Sequence, residues 1–354
     1  MKKVILLLLC VAIAAPLLYA IGPEEILDKP WEQMTREQRR AFARMRTMSA
    51  FEPSGKPSRD RLTHYIAIFK DLNVTDPKSS YCEISAEDNG TTIVLKGEVL
   101  VREYKGGIEN SLRNLGFEEI ENQITILPDP GLFPEAFGAA LKTPISMKRS
   151  PREKSEQLNQ LLEGAPVRLL KSDESGEWFL VQGPDGYVGW AAAAEIRRMP
   201  IAEWDRLRNR PGKDDAKRRA RILEISKPIM GIPYIWGGIT EEGMDCSGYT
   251  QHVYRAMGVI LPRDADQQSA VGELVGFPGY MSNLRPGDLI FFCGGNGRVS
   301  HVAISLGGPD FIESTNEKGV HFSSFDPDSP DYNEKTAERT LFARRIFANG
   351  IPAK

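Results

Sequence analysis

The last third of the chain holds a cysteine, a histidine and a carboxylate that together could carry out acyl transfer: Cys246, His301 and Glu313. Cys246 lies in Y-I-W-G-G-I-T-E-E-G-M-D-C-S-G (234–248), which its glycines break into a loop. The residues that follow set Tyr249, Val253 and Met257 four apart before Gly258 stops the run. That spacing predicts one buried face of a helix, with Cys246 at its N-terminus. Unpaired N–H groups and the positive end of the helix dipole favour an anion at such a position, which suits a sulfur nucleophile. A nucleophile of this kind needs a base.

The base follows by elimination among four histidines. His252 lies six residues along the nucleophile's own helix and so on its opposite face, His64 belongs to an earlier segment, and His321 is expected in a loop-rich stretch after the strands. His301 remains. It opens an apolar strand, 301–306, just after a polar turn, so its ring can reach a cleft. Glu313 follows a short run, 310–312, that is expected to pair antiparallel to the His301 strand through Gly307, Gly308 and Pro309. There its carboxylate would accept the imidazole Nδ1–H and stabilise the imidazolium formed when the cysteine gives up its proton. Taken alone, Glu313 would read as a solvated strand residue.

Positioning elements can be sketched along the chain. Lys2 and Lys3 precede an apolar run, 4–18, and Leu18, Tyr19 and Ala20 form a candidate cleavage site, so residues 1–20 read as a secretory signal peptide. Removing it would leave three cysteines, Cys82, Cys246 and Cys293, an odd number that keeps at least one thiol free in a monomer; a Cys82–Cys293 pair is left open. No C-x-x-C or H-E-x-x-H occurs, so neither a metal nor another cofactor is expected. The formal charge of −3 gives no sign of nucleic-acid binding, and no stable membrane span is expected after leader removal.

Residues 21–58 read as a helical segment, basic and amphipathic over 31–48, with a linker marked by Pro53, Gly55 and Pro57. Residues 59–138 suggest a small α/β domain: a helix at 59–72, a strand pair or bent strand at 92–101, a helix at 108–115 and a strand at 120–127. Residues 139–199 carry short β-runs, 167–170 and 178–182, punctuated by glycines, with a turn into a strand at 184–190. This stretch resembles a bacterial Src-homology-3-like barrel. Residues 200–213 read as a charged linker. From 214 to 354 helices come first (216–229, then the nucleophile helix) and strands follow at 288–292, 301–306, 311–314 and 342–347, an α+β order with an antiparallel sheet.

Five separated motifs sharpen this reading: Y-I-W-G-G (234–238), M-D-C-S-G (244–248), L-P-R-D (261–264), R-P-G-D-L-I-F-F (285–292) and S-H-V-A-I (300–304). In order, over about 120 residues, they resemble the NlpC-type family of bacterial cell-wall cysteine peptidases. The resemblance implies a papain-like fold and an endopeptidase that cleaves peptidoglycan stem peptides after γ-linked D-glutamate. Its catalytic roles fall on Cys246, His301 and Glu313, and Tyr234 matches the family's proposed oxyanion donor. Glu313 departs from the family's usual histidine, asparagine or glutamine, but a carboxylate can accept the same hydrogen bond.

Similarity is closest to the γ-D-glutamyl-L-diamino-acid endopeptidase, or dipeptidyl-peptidase VI, subgroup, which acts on stems with a free N-terminal L-alanine. Trp236, Asp245, Ser247, Arg263 and Asp264 stand where that subgroup places substrate contacts, with Asp245 suited to an ammonium and Arg263 to a carboxylate. The bland alternative is that Asp245 caps the helix and Arg263 pairs with Asp264. The expected partners are thus stem peptides or muropeptides in the periplasm, cell envelope or medium. Three other readings stay open: a DL-endopeptidase acting on intact wall, an inactive wall-binding protein on the same fold, and an amidase or acyltransferase using the same thiolate.

Overall fold

In the computed structural model, residues 34–132, 136–208, 214–281 and 284–347 are described; the expected signal peptide and the first residues of the basic helix lie outside them. The chain divides into two units, one of residues up to 74 with 82–126, the other of 75–81 with the rest from 127.

In the first unit, helix α1 (Arg36–Phe51) starts at a capping box in which Gln38 N–H donates to Thr35 Oγ1 (3.2 Å) and Thr35 N–H donates to Gln38 Oε1 (3.0 Å). Helix α2 (Leu62–Asn73) buries Leu62, Tyr65, Ile66 and Phe69 on one face. The expected linker between them is packed rather than free. Glu52 is buried there and accepts from the Tyr65 hydroxyl (2.9 Å), so α1 folds into the same unit as the α/β elements instead of standing apart.

Strands β1 (Cys82–Asp88) and β2 (Ile93–Val99) pair antiparallel, helix α3 (Arg102–Asn114) follows, and β3 (Ile120–Asn122) and β4 (Thr125–Ile126) run parallel to β2. A β-carbon on Gly97 would lie 2.0 Å from Glu83 O, so this residue marks close approach by β1 and not a break within 92–101. Gly106 and Gly107 hid the first turns of α3, where Gly107 makes room for the Phe69 ring. The single strand expected at 120–127 is two short ones.

The second unit opens with seven antiparallel strands in the order β11-β5-β8-β9-β10-β6-β7. They are β5 (Phe137–Ala140), β6 (Ile145–Lys148), β7 (Gln157–Leu161), β8 (Pro166–Ser172), β9 (Trp178–Gln182), β10 (Val188–Ala192) and β11 (Ile196–Met199). Ile145, Met147, Val167, Leu169, Val181 and Ala191 are fully buried between them. The charged stretch 200–213 is not simply a linker, because α4 (Ile201–Arg208) buries Trp204 in this core. Trp204 and Phe137 meet there with Phe277 and Tyr280 from the downstream segment, at ring separations of 4.9 to 6.3 Å. Arg344 Nη1 also donates to Asp185 O (2.8 Å), so the small barrel is fixed against the α+β domain by apolar and polar contacts.

That domain comprises α5 (Asp215–Ser226), a short hairpin of β12 (Ile239–Thr240) and β13 (Gly243–Met244), α6 (Cys246–Ala256) and α7 (Ala265–Gln268), then the sheet strands. The sheet holds β14 (Glu273–Gly276), β15 (Leu289–Cys293), β16 (Val299–Gly307), β17 (Asp310–Thr315), β18 (Gly319–Ser324) and β19 (Thr340–Arg345), with the small helix α8 (Glu334–Glu338) before β19. Its order, β14-β19-β15-β16-β17-β18, is antiparallel throughout. Tyr249 and Val253 of α6 pack with Phe291, Val302, Ile304 and Ile312 of the sheet. The stretch containing His321 is strand β18 and not loop.

The R-P-G-D motif is a turn locked by charge. Asp288 accepts from the Arg285 N–H (2.8 Å) and, buried, from Arg345 Nε (2.8 Å) and Nη2 (2.7 Å). Truncating one member of a buried pair strands the other. Asp288→Ala is therefore predicted to lower stability by about 3–5 kcal/mol, read as a shift in urea or thermal midpoint.

Candidate active site

Cys246 is the first residue of α6, and Asp245 is its N-cap, with Oδ1 accepting from the Gly248 N–H (2.7 Å). The preceding loop is seated directly against this turn. Asp245 N–H donates to Gly238 O (3.1 Å), and a β-carbon on Gly248 would stand 2.1 Å from that same oxygen. The paired glycines of the W-G-G and C-S-G motifs thus allow two backbones to touch, which fixes the height of the sulfur. Cys246 is 5% exposed. Cys82, Cys246 and Cys293 form no disulfide with one another, so the Cys82–Cys293 pair left open by the sequence is not made.

His301 and Glu313 meet across β16 and β17. With Ile304 opposite Ile312, they are diagonal neighbours on one face, and His301 Nε2 lies 2.6 Å from Glu313 Oε2. The nitrogen is Nε2, not the expected Nδ1, because the diagonal approach presents the far edge of the ring to the carboxylate. Nδ1 is the ring nitrogen that Glu313 leaves unheld, and Cys246 acts on the same imidazole by favouring its charged form. Burial alone would lower the His301 pKa, but the hydrogen bonds and negative charges of Cys246 and Glu313 outweigh it and raise it to about 10. Glu313, 0% exposed and so not a solvated strand residue, is raised by burial and lowered further by His301, Ser323 and His321, leaving it below the usual carboxylate range.

Two residues at this site escaped the sequence reading. Ser323 Oγ donates to Glu313 Oε1 (2.6 Å), and His321, directly opposite Glu313 in the β17–β18 register, brings Nε2 to 3.6 Å from the same oxygen. Their signal was the two-residue spacing of His321 and Ser323, which puts both on one face of a strand. On the other face of β17, Ser314 Oγ donates to Met244 O (2.8 Å), tying the Glu313 strand to the backbone just before the nucleophile.

The residues expected to touch substrate divide into two groups. Arg263 donates to Asp245 through Nη2 (2.6 Å to Oδ2) and Nη1 (3.1 Å to Oδ1), and Nη1 also reaches Ser247 Oγ (2.8 Å). Asp245 further accepts from the Gly237 N–H (2.9 Å) and Ser247 Oγ (3.1 Å), so its oxygens are filled by protein donors. Burial would raise its pKa, but Arg263 and the backbone donors hold it below the usual range. The ion pair that fixes Arg263 is thus with Asp245 rather than Asp264, whose N–H instead donates to Gln267 Oε1 (3.1 Å) at the start of α7. Gln251 and Gln268 hold the carbonyls of Leu261 and Pro262, which positions the arginine.

Trp236, by contrast, is 86% exposed on the loop before the nucleophile. Tyr234 is half-buried, and burial together with the negative charges at Cys246 and Asp245 pushes its pKa up, so its hydroxyl stays a donor at neutral pH. Among the described residues, no group of three or more His, Cys, Asp or Glu is placed to hold a metal ion.

Gly248→Ala sets a methyl group against Gly238 O and is predicted to destabilise the domain by about 1–3 kcal/mol. Thermal melting together with the alkylation rate of Cys246 checks this, with the rate expected to fall as the sulfur is displaced.

Residues 231–339 match the NlpC/P60 family and residues 147–196 match the bacterial dipeptidyl-peptidase Sh3 domain. A gamma-D-glutamyl-L-lysine dipeptidyl-peptidase of Bacillus cereus is 36% identical over 209 residues, 57% of this chain and 56% of that one. An enzyme of the same name from Bacillus subtilis is 37% identical over 95 residues, 26% and 31% of the two chains. The murein DD-endopeptidase MepS/murein LD-carboxypeptidase of Escherichia coli is 36% identical over 132 residues, 37% and 64%. This chain therefore spans between 31% and 64% of the length of these relatives. A solved NlpC/P60 family protein from Bacillus cereus is 28% identical, covering 60% of this chain and 63% of that one, with a TM-score of 0.30. The α+β unit built around Cys246 and His301 is an NlpC/P60 domain, and the strands before it include a bacterial dipeptidyl-peptidase Sh3 domain.

Proposed function

We propose that the chain is an exported cysteine endopeptidase that hydrolyses the γ-D-glutamyl-L-diamino-acid bond of peptidoglycan stem peptides bearing a free N-terminal L-alanine. The observation that carries this reading is the placement of Cys246 at the start of α6 beside His301, whose far nitrogen is held by a buried carboxylate. The names of the Bacillus relatives support the bond and the dipeptide product. Export rests on the leader-like residues 1–20, and among the described residues no helix is long and apolar enough to cross a membrane.

In this mechanism the Cys246 sulfur attacks the carbonyl carbon of the γ-glutamyl amide, a C–S bond forms and the carbonyl electrons move onto oxygen. Tyr234, with its proton retained, is the side-chain donor assigned to that oxyanion. Collapse of the intermediate breaks the C–N bond while the His301 imidazolium gives its proton to the departing amine. His301, now neutral, then takes a proton from water as the water attacks the thioester, which frees the acid and restores the thiolate.

The filled oxygens of Asp245 change the assignment of the substrate contacts. Asp245 acts through Arg263, which keeps N–H groups beyond those placed on Asp245 and Ser247 and can direct them at a substrate carboxylate. The amine of the L-alanine then falls to the loop of Trp236. Asp264 is assigned to seating the loop that carries Arg263.

Cys246→Ala and His301→Ala are each expected to abolish turnover with the fold retained, as residues that act as a unit do. Glu313→Ala is expected to lower kcat by about one to three orders of magnitude with KM little changed, measured by steady-state kinetics on L-Ala-γ-D-Glu-L-Lys. On the same peptide, mass spectrometry is expected to detect L-Ala-γ-D-Glu and free lysine, with kcat/KM at least about tenfold higher than for the N-acetylated peptide. Equal values would contradict the free-amine requirement and favour cleavage within intact wall.

A further inference from the structure

We propose that Ser323 and His321 are positioning residues that keep the Glu313 carboxylate aimed at His301, forming a hydrogen-bonded relay that runs from β18 through Glu313 to His301. The inference rests on the reading of Cys246, His301 and Glu313 as the reacting group, and it adds two side chains that do not touch substrate.

Proton assignment makes the case. His321 Nδ1 lies 2.9 Å from Gly319 O, and a carbonyl oxygen can only accept, so Nδ1 carries a proton. Ser323 Oγ lies 2.6 Å from Glu313 Oε1, and an ionised carboxylate can only accept, so the single hydroxyl proton of Ser323 points at Glu313. Ser323 Oγ also lies 3.3 Å from His321 Nε2, so the imidazole edge packs against the hydroxyl that serves Glu313. Glu313 in turn has its other oxygen, Oε2, on His301.

Burial gives this geometry its consequence. Glu313 is fully enclosed, so water cannot replace a missing donor at Oε1. Without Ser323 that oxygen would turn toward the next donor or draw the proton from His301, and either change unseats the imidazole. His321 supports Ser323 in two ways. It is the register partner of Glu313, which fills the space beside the carboxylate, and its ring is itself anchored on Gly319 O. Gly319 can supply that anchor because it takes φ +64°, where a β-carbon would lie 2.0 Å from Ile232 O.

The test uses the full chain and two readouts. In Ser323→Ala and in His321→Leu, kcat on L-Ala-γ-D-Glu-L-Lys is expected to fall about tenfold or more with KM within about twofold, and Ser323→Thr and His321→Gln are expected to restore most of it. In the same proteins the midpoint of His301, followed by NMR of ¹⁵N-labelled histidine, is expected to move down, because Glu313 is a poorer partner for the imidazolium. The NMR readout needs no substrate, so it tests the relay even if another peptide is the true substrate. A midpoint unchanged from wild type in either Ser323→Ala or His321→Leu, in protein with a native melting profile, would overturn the proposal, as would a loss of activity expressed only in KM.

Discussion

A carboxylate taken wholly out of water is stable only if its lone pairs are filled and a cation stands beside it. Glu313 meets that demand with three neighbours drawn from two flanking strands: His301 on β16, and His321 and Ser323 on β18. The requirement fixes the register of three strands at once, because a slip of one residue would turn these side chains to the opposite face. Ser314, adjacent to Glu313 and facing the other way, then holds the carbonyl of Met244 and carries the register across to the nucleophile turn.

The same device recurs around the site. Asp288 and Arg345 lock the turn that leads into β15, and Asp245 and Arg263 join the N-cap of α6 to the loop before α7. Each pair is acid with arginine, each is held by two or more hydrogen bonds, and each fixes a loop whose backbone alone has no regular partner. The small barrel is joined to the same domain through a shared core of Phe137, Trp204, Phe277 and Tyr280. The side chains proposed as catalytic, on a helix terminus and two strands, are thereby held by a frame with little freedom, as attack on an unactivated amide requires.

Much of this was legible in the sequence. The helix after Cys246 and the strand of His301 follow from apolar spacing, and the five motifs place both within an NlpC/P60 domain. The parts that were not legible have a common cause. Strand β18 buries polar residues at the site, so its inward face carries His321 and Ser323 in place of the apolar alternation that marks a strand. Trp204 looked like part of a charged linker because its neighbours are solvated, while the tryptophan itself turns into the core. Gly97 and Gly107 make space for another element, a packing role that no local spacing announces. The choice between Nδ1 and Nε2 of His301 depends on a diagonal across two strands, which no local pattern encodes.

The hold of Glu313 on a charged His301 is open to direct measurement by ¹⁵N-histidine NMR, in which the four histidines of the chain are assigned and titrated in wild type and in Glu313→Gln. A raised pKa means that the proton stays on as pH climbs, so wild-type His301 is predicted to remain an imidazolium through neutral pH and to lose its proton only near about 10. In Glu313→Gln the midpoint is predicted to move down toward the ordinary value of 6.5. A wild-type His301 that titrates near 6.5, or one whose midpoint does not respond to loss of the carboxylate charge, would contradict the catalytic arrangement described here.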